Sequence, residues 1–127
     1  MSGDVAGFAW VCLGAAVGAP GRYLVDRWVQ ARVDAVLPWG TMLVNVVGSL
    51  VLGVLVGIGT GYDVPTGLAL ALGTGFCGAF TTYSTFGYET VRLLDEGAGR
   101  TAVLNAGLSL VAGLGAATAG YALGALW

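Results

Sequence analysis

The chain has 127 residues, of which 57% are hydrophobic and only 9% are charged. Soluble domains carry about a quarter charged residues, so the composition excludes an ordinary water-soluble protein and indicates a membrane protein. With no histidine, no ligand-spaced cysteines and a net charge of −2, we expect neither a metal-dependent enzyme, nor any other enzyme, nor a nucleic-acid-binding protein.

Four charge-free stretches follow one another along the chain. They cover residues 5–21, 35–62, 64–88 and 101–127. Each is close to or longer than the roughly 17–25 residues that cross a bilayer. We therefore predict an all-α membrane protein with a single domain of four transmembrane helices, over roughly 6–24, 38–59, 65–94 and 100–126.

The first two predicted helices each carry one prominent polar side chain. Helix 1 contains Gly14 and Gly18, which share a face and allow close helix contact. Arg22 follows, and the residues alone leave it as an interfacial anchor or as a partner of Asp26. In helix 2, Asn45 is the only strongly polar residue.

The third predicted helix contains an unusual segment at residues 73–87, rich in glycines, hydroxyls and aromatic rings. Glycine loosens a helix, and we predict a break near Gly78–Thr82. Polar groups at membrane depth are costly unless they have buried partners or line a pathway. The segment therefore favours a protein that moves or holds something small and polar. The alternative is a glycine kink satisfied by neighbouring hydroxyls, with Tyr83 and Phe86 as packing aromatics.

All five arginines lie near one side of the predicted bundle, beside the loops at residues 26–37 and 95–99. The other side, which holds both termini and the turn at residues 61–63, has none. The positive-inside rule places the arginine-rich side in the cytoplasm. We predict a multi-pass protein of the cell membrane with both termini external.

Three segments, in chain order, resemble the signatures of one family. They are Gly14-Ala-Ala-Val-Gly-Ala-Pro-Gly-Arg-Tyr23, Gly40-Thr-Met-Leu-Val-Asn-Val-Val-Gly-Ser49 and Gly75-Phe-Cys-Gly-Ala-Phe-Thr-Thr-Tyr-Ser-Thr-Phe86. The third segment is the most specific of them. The family is that of the fluoride channels called Fluc or CrcB, and the resemblance extends to the chain length and the four predicted helices.

The resemblance implies passive export of fluoride from the cytoplasm by an antiparallel dimer with two pores. It also implies a structural Na⁺ at the dimer centre, which is not transported and is held by the backbone carbonyls of Gly78 and Thr81. Arg22 corresponds to an arginine near a vestibule. The matching pore residues are Asn45, Tyr83, Ser84, Thr85, Phe86, Asn105 and Ser109.

Two pore positions depart from the family pattern. Tyr83 stands where the family has a phenylalanine, and Asn105 stands where it has a tyrosine. Fluoride is a strongly hydrated hydrogen-bond acceptor, so its pore must replace water with donors. Asn45, Ser84 and Thr85 can supply amide and hydroxyl donors, and aromatic rings offer positive edges.

The expected partners are fluoride, membrane lipid and a second subunit. Dual-topology homodimers need nearly balanced loop charges, so the arginine bias predicts a heterodimer with a homologous, oppositely oriented partner. Two alternatives are a non-conducting partner subunit and a small multidrug-resistance-type, proton-coupled exporter. Such exporters need a carboxylate inside helix 1, and this chain has no acidic residue between Asp4 and Asp26.

Overall fold

Helices account for nearly all of the structure, a computed structural model that describes residues 2–127 and the side chains of residues 3–127. Helix α1 spans Ser2–Arg32 and helix α2 spans Trp39–Ile58. A composite helix over residues 66–80, here α3, is followed by α4 at Ser84–Asp95 and α5 at Gly99–Ala125. Among the described residues there is no strand, which confirms the all-α prediction.

Three of these helices are long and apolar enough to cross a membrane, namely α1, α2 and α5. The third predicted helix, over residues 65–94, is two helices in the structure. Its first part, α3, is α-helical at Thr66–Ala69, a wider π-helix at Leu70–Cys77 and a single α-turn at Gly78–Phe80. Thr81 then takes an extended conformation, with φ −84° and ψ 162°, so the helical path is interrupted at residues 81–83, at the edge of the predicted break.

Helix α1 is longer than predicted. The prediction ended it near residue 24 because charges begin there, but the helix continues to Arg32. Residues 25–32 contain no glycine or proline, and Gln30 Nε2 donates to Asp26 Oδ2 at 2.9 Å. The Arg32 guanidinium stacks 4.3 Å from the Trp28 ring, also one turn away. A helix of 31 residues is about 46 Å long, so its last turns extend beyond the roughly 30 Å hydrocarbon layer.

The helices form two parallel pairs. Trp10 of α1 lies against Gly67 at the start of α3, and Gly18 lies against Phe76 further along. In the other pair, Gly53 and Gly57 of α2 lie against Ala117 and Tyr121 of α5. Contacts advance in the same direction along both members of each pair. Gly40 at the start of α2 lies against Asp26 near the end of α1, so the two pairs run in opposite directions.

The two ends of the bundle differ in charge. At one end, a Cβ added to Gly61 would be 3.1 Å from the carbonyl oxygen of Trp127, so the turn after α2 lies beside the C-terminus. Trp10 and Gly67 are also towards this end. Four arginines lie near the turns at the opposite end, namely Arg27, Arg32, Arg92 and Arg100. Arg22 lies deeper in the bundle, where it contacts the Thr81 carbonyl.

Glycine spacing holds each pair together at backbone contact. A Cβ on Gly53 would overlap the carbonyl oxygen of Ala117, and one on Gly120 would overlap that of Leu50. Gly14 and Gly75 play the same part between α1 and α3. Lipid supplies no hydrophobic force between helices, so such close packing must supply much of the attraction.

We predict that Gly120→Ala destabilises the protein, whereas Gly107→Ala does not. Both changes raise intrinsic helix propensity, but a Cβ at Gly107 meets nothing within 4 Å and one at Gly120 overlaps the α2 backbone. We expect a loss of about 1–3 kcal/mol from overpacking at Gly120. Thermal unfolding in detergent measures the difference, and equal midpoints for the two variants would contradict close packing of α2 on α5.

Candidate functional site

A groove of about 450 Å³ opens on the surface between α2, the helix break and α5. Its walls are mostly apolar, with a small set of polar groups around the break. The residues that matter for its chemistry are Asn45, Ser49, Gly78, Thr81, Thr82, Tyr83, Phe86 and Ser109. A few convergent polar groups in an apolar concavity are typical of a binding site.

Asn45 holds the break in place through two hydrogen bonds to the backbone of Thr82. The Thr82 N–H donates to Asn45 Oδ1 at 2.8 Å, and Asn45 Nδ2 donates to the Thr82 carbonyl at 3.0 Å. These bonds replace helical bonds that the extended Thr81 prevents. One N–H of the Asn45 amide has no partner within the described chain, and Asn45 lines the groove.

Thr82 also organises the start of α4. Its hydroxyl oxygen accepts the backbone N–H of Thr85 at 3.2 Å and lies 3.1 Å from the Thr85 hydroxyl, to which it donates. One of the unpaired N–H groups in the first turn of α4 is thereby satisfied. The Thr85 hydroxyl proton is then available to another acceptor.

Two backbone carbonyls beside the groove lose their helical partners at the break. The Thr82 N–H, which would bond Gly78 in a continuous helix, bonds Asn45 instead, and no donor among residues 2–127 contacts the Gly78 carbonyl. The Thr81 carbonyl accepts one long bond of 3.4 Å, from Arg22 Nη1. Hard cations prefer such oxygens, but the nearby guanidinium opposes a cation, and two oxygens from one chain are too few to complete its coordination.

A smaller cavity of about 180 Å³ lies on the other side of the break, between α1, α2 and α4. The residues that contribute charge or hydrogen bonds are Arg22, Asp26, Thr41, Thr82 and Thr85. Thr82 lines both this cavity and the groove. The break is therefore a thin partition between two concave surfaces.

Arg22 and Asp26 do not pair with each other, although the sequence left that pairing open. Arg22 bonds the Thr81 carbonyl, while Asp26 accepts from Gln30.

Among the described residues, the ion pair is between Arg92 and Glu96, with a nitrogen–oxygen distance of 3.7 Å. Glu89, which could have paired with Arg92, instead accepts a hydrogen bond from the Thr41 hydroxyl.

The structure brings most, but not all, of the predicted site residues together. The groove contains Asn45, Gly78, Thr81, Tyr83, Phe86 and Ser109, and the smaller cavity contains Arg22 and Thr85. Ser84 is exposed and lines neither of these two cavities. Asn105 is 1% exposed and lies behind Ser109, outside the groove lining.

Sequence reasoning missed a polar stripe along α2. Thr41, Asn45 and Ser49 are four residues apart and share one face, and each lines one of the two cavities. The spacing was visible in the sequence, but single hydroxyls in an apolar helix are common.

The two aromatic residues at the break, Tyr83 and Phe86, differ in how far they are exposed. Tyr83 is 86% exposed within this chain, whereas Phe86 is partly buried. Their ring centroids are 6.3 Å apart and the planes are inclined by 43°. The rings therefore lie side by side at the groove, with the tyrosine outermost.

Comparison with known proteins gives a match along nearly the whole chain. Residues 9–121 match the family model described as "CrcB-like protein, Camphor Resistance (CrcB)". The chain is 58% identical over 118 residues to "Fluoride-specific ion channel FluC 1" of Streptomyces avermitilis, covering 92% of this chain and 95% of that protein. It is 52% identical over 115 residues to the FluC 1 protein of Nocardia farcinica, covering 91% and 78%, respectively. It is 42% identical over 108 residues to "Fluoride-specific ion channel FluC 2" of Moorella thermoacetica, covering 84% and 88%.

We predict that Asn45→Leu loosens the break and destabilises the protein. The change has nearly the same volume but leaves the N–H and carbonyl of Thr82 without their partners, at a cost of about 1–3 kcal/mol for each buried group. Hydrogen exchange at the Thr82 amide should accelerate strongly, together with a lower unfolding temperature. Ser49→Ala is the matched control, because Ser49 lines the same groove one turn away and shares no hydrogen bond with Thr82. Unchanged exchange at Thr82 in Asn45→Leu would contradict the role given to Asn45.

Proposed function

The chain belongs to the CrcB family, and from this premise we propose that it is a fluoride-specific ion channel that exports fluoride passively from the cytoplasm. The observation that carries the proposal is the 58% identity to a relative named as such, over 92% of this chain. The matched residues 9–121 include every residue of the groove. Family membership also removes the alternative of a small multidrug exporter.

The chemistry of the two concave surfaces suits a small, strongly hydrated anion. Donors that can replace its water are the second N–H of Asn45, the hydroxyl of Ser109 and, across the break, the hydroxyl of Thr85. The edges of Tyr83 and Phe86 add weakly positive surfaces. Arg22 supplies a full positive charge in the smaller cavity, where it would draw anions towards the break.

In the proposed membrane arrangement, α3 and α4 together form one further span, the third of four in chain order. The parallel pairing of α1 with α3 and of α2 with α5 supports it, because the chain then crosses the bundle four times. Backbone that is not helical at membrane depth is tolerated where it lines a cavity, as residues 81–83 do. The arginine-rich end lies in the cytoplasm and both termini lie outside.

A second subunit completes the groove in this proposal. Tyr83 is 86% exposed at what would be membrane depth, and a Cβ on Gly78 would meet nothing within 4 Å. A second subunit packed over the groove would fill the open space at Gly78 and bury the exposed ring of Tyr83. The arginine bias favours a homologous partner inserted the opposite way.

A structural Na⁺ belongs to the same proposal. The Gly78 and Thr81 carbonyls, which the break deprives of helical partners, would hold it together with oxygens of the second subunit. When bound, such an ion would supply fixed positive charge between the subunits. The guanidinium of Arg22, 3.4 Å from the Thr81 carbonyl, favours a position on the side of that oxygen away from Arg22.

We predict that liposomes containing this chain with a homologous partner release fluoride and retain chloride. The test compares this chain alone, the partner alone and the two together, with ion-selective electrodes for both anions. Fluoride release from the two chains together, but from neither chain alone, would support a heterodimer. Release from this chain alone would reject the heterodimer but remain consistent with a fluoride channel. Absence of fluoride release in all three preparations, or chloride release at a similar rate, would contradict the function.

We predict a single orientation in the membrane, because four arginines lie towards one end of the bundle and none lies towards the other. Fusions of a cytoplasmic reporter and an exported reporter after Trp127 should give signal from the exported one only. The matched fusion placed in the turn at residues 96–98 should give the reverse. Comparable signals from both reporters at Trp127 would show dual orientation.

A further inference from the structure

Thr90 lies one turn behind the groove, on α4, and has its hydroxyl proton already committed. Its Oγ1 donates to the carbonyl of Phe86 at 2.8 Å. A carbonyl oxygen can only accept, so this bond uses the single proton of the hydroxyl. Any further polar neighbour of Thr90 Oγ1 must therefore be a donor.

That neighbour is Asn105 on α5, and the constraint fixes which way its amide faces. Asn105 Nδ2 lies 3.0 Å from Thr90 Oγ1 and donates to it. Its Oδ1 is thereby turned towards Ser109, whose hydroxyl is 3.5 Å away. Asn105 is 1% exposed, so water does not compete for these bonds within the chain.

The direction of the Ser109 hydroxyl matters because Ser109, unlike Thr90 and Asn105, lines the groove. Hydroxyls in membrane helices commonly donate to the carbonyl four residues earlier. Three threonines of this chain do so at 2.8 Å: Thr81, Thr90 and Thr118. Ser109 instead donates to the Asn105 side chain, at a distance on the limit of a hydrogen bond.

We propose that Thr90 and Asn105 are positioning residues that keep the Ser109 hydroxyl out of a strong bond to its own helix and available to an anion in the groove. The inference rests on the proposed function of the groove as a fluoride path. A hydroxyl held at 3.5 Å turns to a passing anion at little cost. We call the hydrogen bonds that link Thr90, Asn105 and Ser109 the relay. Without the relay, the Ser109 hydroxyl would donate to the backbone carbonyl of Asn105 at a shorter distance, and it would donate less readily to an anion.

Substitutions at Thr90 separate this role from simple packing. Thr90→Val keeps the shape and removes the hydroxyl, whereas Thr90→Ser keeps the hydroxyl and removes a methyl group. The relay predicts that Val slows fluoride efflux from liposomes about two- to tenfold, the equivalent of one hydrogen bond, and that Ser stays close to the wild-type rate. The opposite order, or no effect of Val, overturns the proposal.

A double-mutant cycle tests whether Thr90 acts through Ser109. In a Ser109→Ala background, Thr90→Val should cause no further loss, because the hydroxyl that it positions is gone. If the double variant slows fluoride efflux by the product of the two single effects, the proposal is overturned. Thr118→Val is the matched control: Thr118 makes the same bond to a carbonyl, is exposed, and should leave efflux unchanged.

A substitute variant and a parallel wild-type measurement complete the experiment. If Thr90→Val does not fold, Asn105→Leu takes its place in the cycle, with the same loss expected alone and none expected beside Ser109→Ala. The wild-type assembly is measured in parallel. Fluoride efflux by the wild type with independent effects of the variants rejects only the relay, whereas a wild type without efflux rejects the proposed function and the relay with it.

Discussion

The two hydrogen bonds between Asn45 and Thr82 are the interaction on which the rest of the site depends. A helix that breaks at membrane depth exposes N–H and carbonyl groups where no water can satisfy them. The Asn45 amide presents one donor and one acceptor to the same residue, at 3.0 and 2.8 Å, and so satisfies both groups of Thr82. The break can then persist as a fixed structure, in which the Gly78 carbonyl has lost its helical partner and the Thr81 carbonyl contacts Arg22.

Glycine packing brings Asn45 within reach of the break. The backbone contacts of Gly53 and Gly120 fix α2 on α5, and those of Gly14 and Gly75 fix α1 on α3. Within this frame Gly48 packs directly on the Thr81 side chain, one turn along α2 from Asn45. Packing and site geometry are therefore one problem, because a helix displaced by a single methyl group would move the amide away from Thr82.

Much of the fold was predictable, since membrane spans and a glycine-rich interruption leave strong signals in sequence. The end of α1 was not, because Asp26 and Arg32 suggested a loop, whereas they form bonds and stacking contacts along a continuing helix. The partner of Asn45 and the contact of Arg22 with Thr81 join residues 37 and 59 positions apart. Pairings of that kind depend on helix packing, about which the spacing of one sequence is silent.

The two residues predicted to depart from the family pattern, Asn105 and Tyr83, differ in where their consequences fall. Asn105 is buried and its amide is satisfied by Thr90 and Ser109 of the same chain, so its effect on the groove is set internally. Tyr83 is 86% exposed, so in the proposed dimer its phenol would find its partner on the subunit that covers the groove. In the proposed dimer, the first substitution tunes a donor whichever chain is opposite, whereas the second makes the pore depend on the identity of that chain. A phenol needs a hydrogen-bond partner in an environment without water, and a homologous but different subunit has more freedom to supply one than an identical copy.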